Sequence, residues 1–183
     1  NDRSRGTMSS FALILMLIHF LQRRSPPILP SLQDLAVAHN YAPIYVEGFD
    51  CRYCADINLV KAELAAGGVN EESPGFLLHQ FFRYFGHEYR AGVVAVRDSS
   101  AFVAAVQEQQ PYLFVDNPFE PGKDVANVLP TQFNRVRQEL RRASSMLAQG
   151  VSFYDMAAPQ RGQGGTPNSP VTPASSVFVR GGG

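Results

Sequence analysis

The stretch of sequence that decides the fold is GTMSSFALILMLIHFLQRR, residues 6–24. Serine and threonine before an apolar run are typical helix N-caps, and two arginines after it suit a helix C-terminus. The pattern therefore predicts a helix from about Ser9 or Ser10 to Arg23. Its apolar run, residues 11–21, has eleven residues, whereas a bilayer span needs about twenty. Because the helix is apolar on nearly every face, we expect it at the centre of a core.

Prolines and apolar periodicity mark the other elements. Pro26 and Pro27 predict an extended segment, and Pro30 precedes a short helix from Ser31 to about His39. The remaining patterns predict a strand or loop interrupted by Gly48 at 44–50, a helix at 76–85, short buried strands at 92–96 and 112–115, a helical or irregular insertion at 100–109, and an amphipathic helix at about 131–147.

The composition fits one folded domain followed by a tail. The chain has 183 residues, enough for a sizeable core, and 45% of them are hydrophobic. We expect a mainly helical α+β domain over residues 1–150, and a disordered tail rich in Gly, Pro and Ser over 158–183. The 16 basic and 16 acidic residues give zero net charge, so nucleic-acid binding must be argued from local residues. We expect no membrane span.

Two cysteines, Cys51 and Cys54, stand in a C-x-x-C spacing. A zinc site usually needs a second pair of ligands, and the four histidines of the chain offer no such pair. A zinc-bound structural domain and a redox pair therefore stay open as weaker alternatives. The favoured interpretation is two cysteines in a core or a turn.

Three ordered blocks of sequence carry a family resemblance. They are GTMSSFAL (6–13) with FLQRRSPPILP (20–30), VEGFDC (46–51) with FFRYF (81–85), and NPFE (117–120) with DVANV (124–128). Together they resemble the terminal uridylyltransferases and the related poly(A) polymerases, and are most similar to the branch of mitochondrial poly(A) polymerase and the U6 snRNA uridylyltransferase. The resemblance covers roughly residues 1–148 and implies the central, PAP-associated domain of such an enzyme.

The resemblance also implies what this chain lacks. Family members have a strand-rich catalytic domain with a G-S sequence, a D-x-D pair and a third carboxylate, which together hold two Mg²⁺ or Mn²⁺ ions. The chain contains no D-x-D. We expect those carboxylates upstream of Asn1, in a full protein that adds nucleotides to RNA 3′ ends, and we expect this part alone to be inactive. A non-catalytic RNA- or partner-binding remnant is the alternative.

By resemblance, five residues bind and select the nucleotide. The Ser10 hydroxyl helps hold the triphosphate, and the Phe11 ring stacks on the base where the family has a tyrosine. In the alternative, both residues have only structural roles, with Ser10 as a helix cap and Phe11 as a core residue. The predicted loop at 116–124 matches the segment where the family reads the base edge. Asn117 and Glu120 face the nucleotide there, unless Glu120 only caps the next helix or lies in solvent.

Lys123 occupies the position of a histidine found in uridylyl-transferring relatives. A lysine there weakens a strict UTP preference, so ATP is favoured and UTP is the alternative.

The last predicted helix brings arginines close together. Arg135 and Arg142 are candidates for contact with an RNA backbone, although such a cluster is more often a solvated helix face. The resemblance also gives a mitochondrial location as the first expectation, with nucleus and cytoplasm as alternatives. The sequence does not predict an oligomeric state.

Overall fold

The computed structural model describes residues 8–89, 92–97, 113–126 and 128–157. The predicted insertion at 100–109 and the predicted tail at 158–183 lie outside the described residues. The elements are α1 (Ser10–Gln22), α2 (Leu32–Ala38), β1 (Tyr45–Val46), β2 (Phe49–Asp50), α3 (Ile57–Ala66), α4 (Pro74–Arg83), a π-helical turn (Tyr84–Glu88), β3 (Gly92–Val94), β4 (Leu113–Asn117), β5 (Glu120–Asp124), α5 (Pro130–Ala148) and α6 (Phe153–Ala157).

Helix α1 begins where the sequence predicts, but it is not buried all round. The Ser9 side chain accepts a hydrogen bond from the Ala12 amide, which fixes the first helical residue at Ser10. One face is buried and packs against β3 and β4. The prediction of a central helix is wrong for the opposite face, whose side chains are 42–54% exposed, because the described elements pack against only one side of the helix. That face carries Phe11, Leu13, Ile14 and Leu17.

Two small sheets accompany the helices. Strands β3 and β4 pair in parallel, with Val93 opposite Phe114, and β5 continues the sheet antiparallel to β4. Strands β1 and β2 form a separate hairpin, whose turn residues Glu47 and Gly48 both have positive φ (50° and 88°). A glycine is favoured in that turn because the left-handed conformation strains other residues. These strands and the long helices confirm the mainly helical α+β fold.

The main core lies between α1, the sheet, α4 and α5, and is rich in aromatic rings. The Phe81 ring meets the rings of Phe20 and Phe85 edge-on, with centroids 5.7 and 5.1 Å apart. The predicted helix at 76–85 ends as an α-helix at Arg83 and continues as the π-helical turn. In this turn Gly86 lies so close to α5 that an added Cβ would be 3.0 Å from the Arg141 amide nitrogen.

A second, smaller core contains Cys54 with Leu35 and Ala36. Cys54 is buried and Cys51 is half-buried, both as free thiols, so Cys54 is a core cysteine as favoured from the sequence. Helix α3 beside them was not predicted. Asp56 caps it, none of its residues is fully buried, and only Leu59 and Val60 pack partly against the second core. Among the described residues, no helix has the length and apolarity needed to cross a bilayer.

The imidazole of His19 lies where α1 contacts Ala95, the residue directly after β3. It is 2% exposed, and its Nδ1 is 2.7 Å from the Ala95 carbonyl oxygen. Burial lowers the pKa of His19 to about 4, and the Arg23 charge acts in the same direction. The unfolded chain binds a proton near pH 6.5, whereas the folded chain does not, so stability is lost as the pH falls from 6.5 towards 4.

We therefore predict an acid-dependent loss of stability that His19→Gln removes. Glutamine keeps a donor for the Ala95 carbonyl oxygen but does not titrate. Wild-type unfolding free energy, measured by urea denaturation at pH 7 and 4.5, should fall by about 2 kcal/mol more than that of the variant. An equal fall in both proteins would show that His19 does not cause the acid sensitivity.

Candidate nucleotide-binding site

The start of α1 is bonded to the end of the β4–β5 hairpin. Ser9 Oγ donates to the Val125 carbonyl oxygen at 3.1 Å, and Ser9 also caps the helix. Because Ser9 does the capping, Ser10 is left as the first helical residue and is exposed. Phe11 is 42% exposed and is not a core residue. The alternatives in which Ser10 is the helix cap and Phe11 is a core residue therefore do not fit the structure.

The segment predicted as a loop, residues 116–124, is instead a β-hairpin with a bulge at Asp116 and Asn117. Asn117 pairs with Glu120, so that only Pro118 and Phe119 form the turn. The Asn117 side-chain oxygen accepts from the Phe119 amide at 3.1 Å, an arrangement that favours a tight turn. The loop prediction was wrong because Pro and Gly in the segment usually mark irregular backbone.

Carboxylate oxygens take the place of ladder hydrogen bonds in this hairpin. Asp116 Oδ1 accepts from the Gly122 amide at 2.8 Å. Asp124 Oδ1 accepts from the amides of Val115 (3.0 Å) and Ala126 (2.9 Å). Burial raises the pKa of Asp116, while the bond from Gly122 opposes that shift. These side-chain bonds explain how the sequence Glu-Pro-Gly-Lys-Asp forms a strand although proline has no amide to donate.

Helix α1 and the hairpin turn share an apolar cleft of about 630 Å³. The exposed side chain of Phe11 and the turn residues Pro118 and Phe119 are among its lining residues. Of the predicted site residues, all of which the structure describes, only Phe11 lines this cleft; the turn reaches it through Pro118 and Phe119, which lie between Asn117 and Glu120 in the chain. Its lining includes Phe11, Ile14, Tyr53, Ile57, Pro118 and Phe119.

A larger cavity of about 960 Å³ shares part of its wall with this cleft. Its lining is more mixed in character and includes Arg23, Asp34, Glu63 and Arg97. None of the predicted site residues that the structure describes lines this cavity. The smaller cleft is therefore the candidate site.

The polar residues of the turn form one cluster. Glu120 accepts from Asn117 Nδ2 at 3.3 Å and from Lys123 Nζ at 2.5 Å. The side chain of Lys123 is 60% exposed and that of Glu120 is 38% exposed. Asn117 is buried, and its side-chain nitrogen and oxygen both form hydrogen bonds within the turn. The cluster therefore presents an acceptor and a donor, Glu120 and Lys123, side by side at the surface.

The arginines of α5 lie outside the cleft lining. The Arg142 guanidinium donates to Glu139 at 2.8 Å and to the Met156 carbonyl oxygen at 3.3 Å, whereas Arg135 is exposed. The internal bonds of Arg142 favour a structural role for much of its guanidinium. Contact of Arg135 and Arg142 with RNA stays a prediction.

Sequence reasoning missed Arg97. Its Nη1 donates to the Pro118 carbonyl oxygen at 2.9 Å and to the Asp50 carbonyl oxygen at 3.0 Å. A signal was present, because Arg97 follows the predicted strand at 92–96. Because β3 and β4 pair in parallel, the residues that follow the two strands, such as Arg97 and Pro118, lie at the same end of the sheet.

The site does not fit a catalytic metal. Within residues 8–89, 92–97, 113–126 and 128–157, no three His, Cys, Asp or Glu side chains form a group that could hold a metal ion. The carboxylates of Asp116 and Asp124 are directed to backbone amides. The described residues therefore show no carboxylate set of the kind that the resemblance implies for the two metal ions.

Relatives with known names match most of this chain. It is 32% identical over 163 residues to poly(A) RNA polymerase cid13 of Schizosaccharomyces pombe, covering 85% of this chain and 28% of the relative. It is 32% identical over 148 residues to the human mitochondrial poly(A) RNA polymerase, covering 78% and 24%. Human terminal uridylyltransferase 7 is 30% identical over 122 residues, covering 65% and 8%. The chain belongs to the terminal uridylyltransferase and poly(A) RNA polymerase family.

Solved structures of this family share the fold. A histidine-to-asparagine mutant of the Cid1 poly(U) polymerase, bound to MgATP, superposes with a TM-score of 0.65 at 26% identity, covering 85% of this chain and 49% of that one. A complex of mtPAP with UTP gives 0.62 at 27% identity, covering 82% and 31%. No family model matches the chain. The chain spans less than a third of the three relatives' lengths (28%, 24% and 8%).

The hydrogen bonds of the hairpin predict that Asp124 and Glu120 contribute very differently to stability. Asp124→Ala should lower the unfolding free energy by about 2–3 kcal/mol, because it leaves the buried Val115 and Ala126 amides without an acceptor. Glu120→Ala should change it by less than about 0.5 kcal/mol, because an exposed ion pair contributes little. Urea denaturation of the full chain measures both, and similar losses would contradict the assigned roles.

Proposed function

We propose that this chain is the nucleotide-binding part of an enzyme that adds nucleotides to RNA 3′ ends, with ATP as the favoured substrate. The observation that carries the proposal is the shared cleft, which is lined by the exposed Phe11 and by Pro118 and Phe119 of the turn that precedes Glu120. Family membership supports the reaction type.

The triphosphate would lie at the start of α1. A helix N-terminus presents unpaired amides and a positive dipole end, both of which favour phosphate. Because Ser9 caps the helix, the exposed Ser10 hydroxyl is available as a further donor. Ser10 would thus contact the triphosphate, in agreement with the role that the resemblance implies.

The base would stack on the Phe11 ring. An aromatic face accepts any base, and such stacking contributes about 1–3 kcal/mol per base. The tyrosine hydroxyl of other family members would add one hydrogen bond but is not needed for stacking. Pro118 and Phe119 would close the opposite wall of the cleft and exclude water.

The base edge would be read by Glu120 and Lys123. Adenine presents an amino donor beside the N1 acceptor, and the Glu120 acceptor and Lys123 donor complement that pair. Uracil presents O4 and N3–H in the exchanged order, so the same residues also suit UTP if their order along the edge is reversed. We favour ATP because a lysine replaces the histidine of uridylyl-transferring relatives. Asn117 would act mainly by shaping the turn.

The chemistry itself would need groups from another part of the whole protein. Two-metal phosphoryl transfer uses carboxylates to hold Mg²⁺ or Mn²⁺, and the described residues do not supply such a set. This chain would bind and orient the nucleotide, while Arg135 and Arg142 would meet the RNA backbone. A mitochondrial location stays a prediction, because the human and mouse mitochondrial poly(A) RNA polymerases are named as mitochondrial and other relatives are not.

Removing the Phe11 ring tests the stacking role. In the whole protein, Phe11→Ala should lower kcat/KM for ATP by about tenfold or more, because stacking is lost, while Phe11→Tyr should be tolerated. Leu13→Ala is the matched control, since Leu13 is equally exposed on the same helix but does not line the cleft.

Steady-state kinetics of RNA extension measures these values. Equal activity in wild type and all three variants would remove Phe11 from the site. If the whole wild-type protein binds RNA but extends none with Mg²⁺ or Mn²⁺, the non-catalytic alternative replaces the proposal.

Replacing Lys123 with histidine tests how the base edge is read. Lys123→His breaks the ion pair with Glu120 and restores the family's ring donor, so the use of UTP relative to ATP should rise by about fivefold to tenfold. Competition between ATP and UTP in the extension assay gives this ratio. Lys61→His changes the chain's other lysine, exposed on α3, and should leave the ratio unchanged. An unchanged ratio in Lys123→His would show that the turn does not face the base.

A further inference from the structure

The half-buried side chain of Arg97 connects the two hairpins of the protein. One nitrogen of its guanidinium, Nη1, donates to the carbonyl oxygens of Pro118 and Asp50, at 2.9 and 3.0 Å. The first carbonyl belongs to the β4–β5 turn, and the second belongs to β2. Arg97 therefore fixes the turn against the β1–β2 hairpin.

The backbone that carries Arg97 is itself held by α1. His19 Nδ1 lies 2.7 Å from the Ala95 carbonyl oxygen, and Gln22 Nε2 donates to the Val96 carbonyl oxygen at 3.1 Å. These bonds set the two residues immediately before Arg97. Since α1 also carries Phe11, the ring and the guanidinium are placed by one rigid helix.

A weaker contact repeats the connection between the hairpins. Cys51, directly after β2, has its Sγ 3.8 Å from the Phe119 carbonyl oxygen. Both turn residues, Pro118 and Phe119, thus have their carbonyl oxygens directed at groups from outside the hairpin. The next residue along the chain is Glu120, which extends to the surface.

We propose that Arg97 is a positioning residue that sets the base-reading turn relative to Phe11 and thereby sets the discrimination between nucleotides. The proposal rests on the proposed function. Its physical basis is that the turn has one buried residue, Pro118, and one exposed residue, Phe119, so that packing holds only one side of the turn and directional bonds set its orientation. A guanidinium that bridges two carbonyls provides such bonds, and a lysine is a poor replacement because its ammonium is compact and its reach is different.

The first experiment measures the turn itself, without catalysis. Hydrogen–deuterium exchange of the full chain should show about tenfold faster exchange over residues 116–122 in Arg97→Lys than in wild type. Arg52→Lys is the matched control, because Arg52 donates to the Tyr41 carbonyl oxygen and to Asp50 on the same hairpin. It should leave the exchange of the turn unchanged. Equal exchange in Arg97→Lys and wild type would overturn the positioning role.

The second experiment measures selection in the whole protein. The ratio of kcat/KM for ATP to that for UTP should change by about tenfold in Arg97→Lys and by less than about twofold in Arg52→Lys. A loosened turn with an unchanged ratio would make Arg97 a structural brace only and overturn the proposal. Failure of the wild-type protein to use either nucleotide would overturn the proposed function and, with it, the role in selection, whatever the exchange data show.

Discussion

Helix α1 is bonded to the strand layer near both of its ends, and the rest of the structure depends on this attachment. At the start, Ser9 donates to the Val125 carbonyl oxygen. Near the end, His19 and Gln22 contact the Ala95 and Val96 carbonyl oxygens. Between these points the helix buries its apolar face against β3 and β4. The attachment fixes the helix both along its axis and around it, so the exposed Phe11 ring has a defined direction.

The β4–β5 hairpin beside α1 contains a strand, β5, whose sequence has residues that disfavour strands. Its second strand contains Pro121 and Gly122, with φ of +94° at the glycine. Asp116 and Asp124 compensate by accepting bonds from backbone amides on the opposite side of the hairpin and just beyond it. A turn that is ordered before a ligand arrives loses little conformational entropy on binding. Glu120 and Lys123 lie at the surface of this ordered turn, where Glu120 accepts hydrogen bonds from Asn117 and Lys123.

The sequence predicted the elements whose cause is local. The caps and apolar run of α1, the proline before α2, and the phenylalanine periodicity of α4 each act within a few residues, and all three helices form where expected. Helix α3 was not predicted, and its apolar residues Leu59 and Val60 are only partly buried. The residues at 116–124 were predicted as a loop because the carboxylate bonds that order them come from the folded hairpin. The resemblance supplied the candidate residues Phe11 and Glu120, but not their relation in space.

By itself the sequence determined α1, α2, α4 and α5, the class of fold and the family, because caps, periodicity and motif blocks are properties of neighbouring residues. Only the tertiary structure decided that α1 exposes one apolar face, that Phe11 and the Pro118–Phe119 turn line one cleft, and that Arg97 joins two hairpins. Each of these facts depends on contacts between residues more than 20 positions apart in the chain. Such contacts are set by the parallel pairing of β3 with β4 and by the packing of α1 upon them, and neither leaves a local pattern.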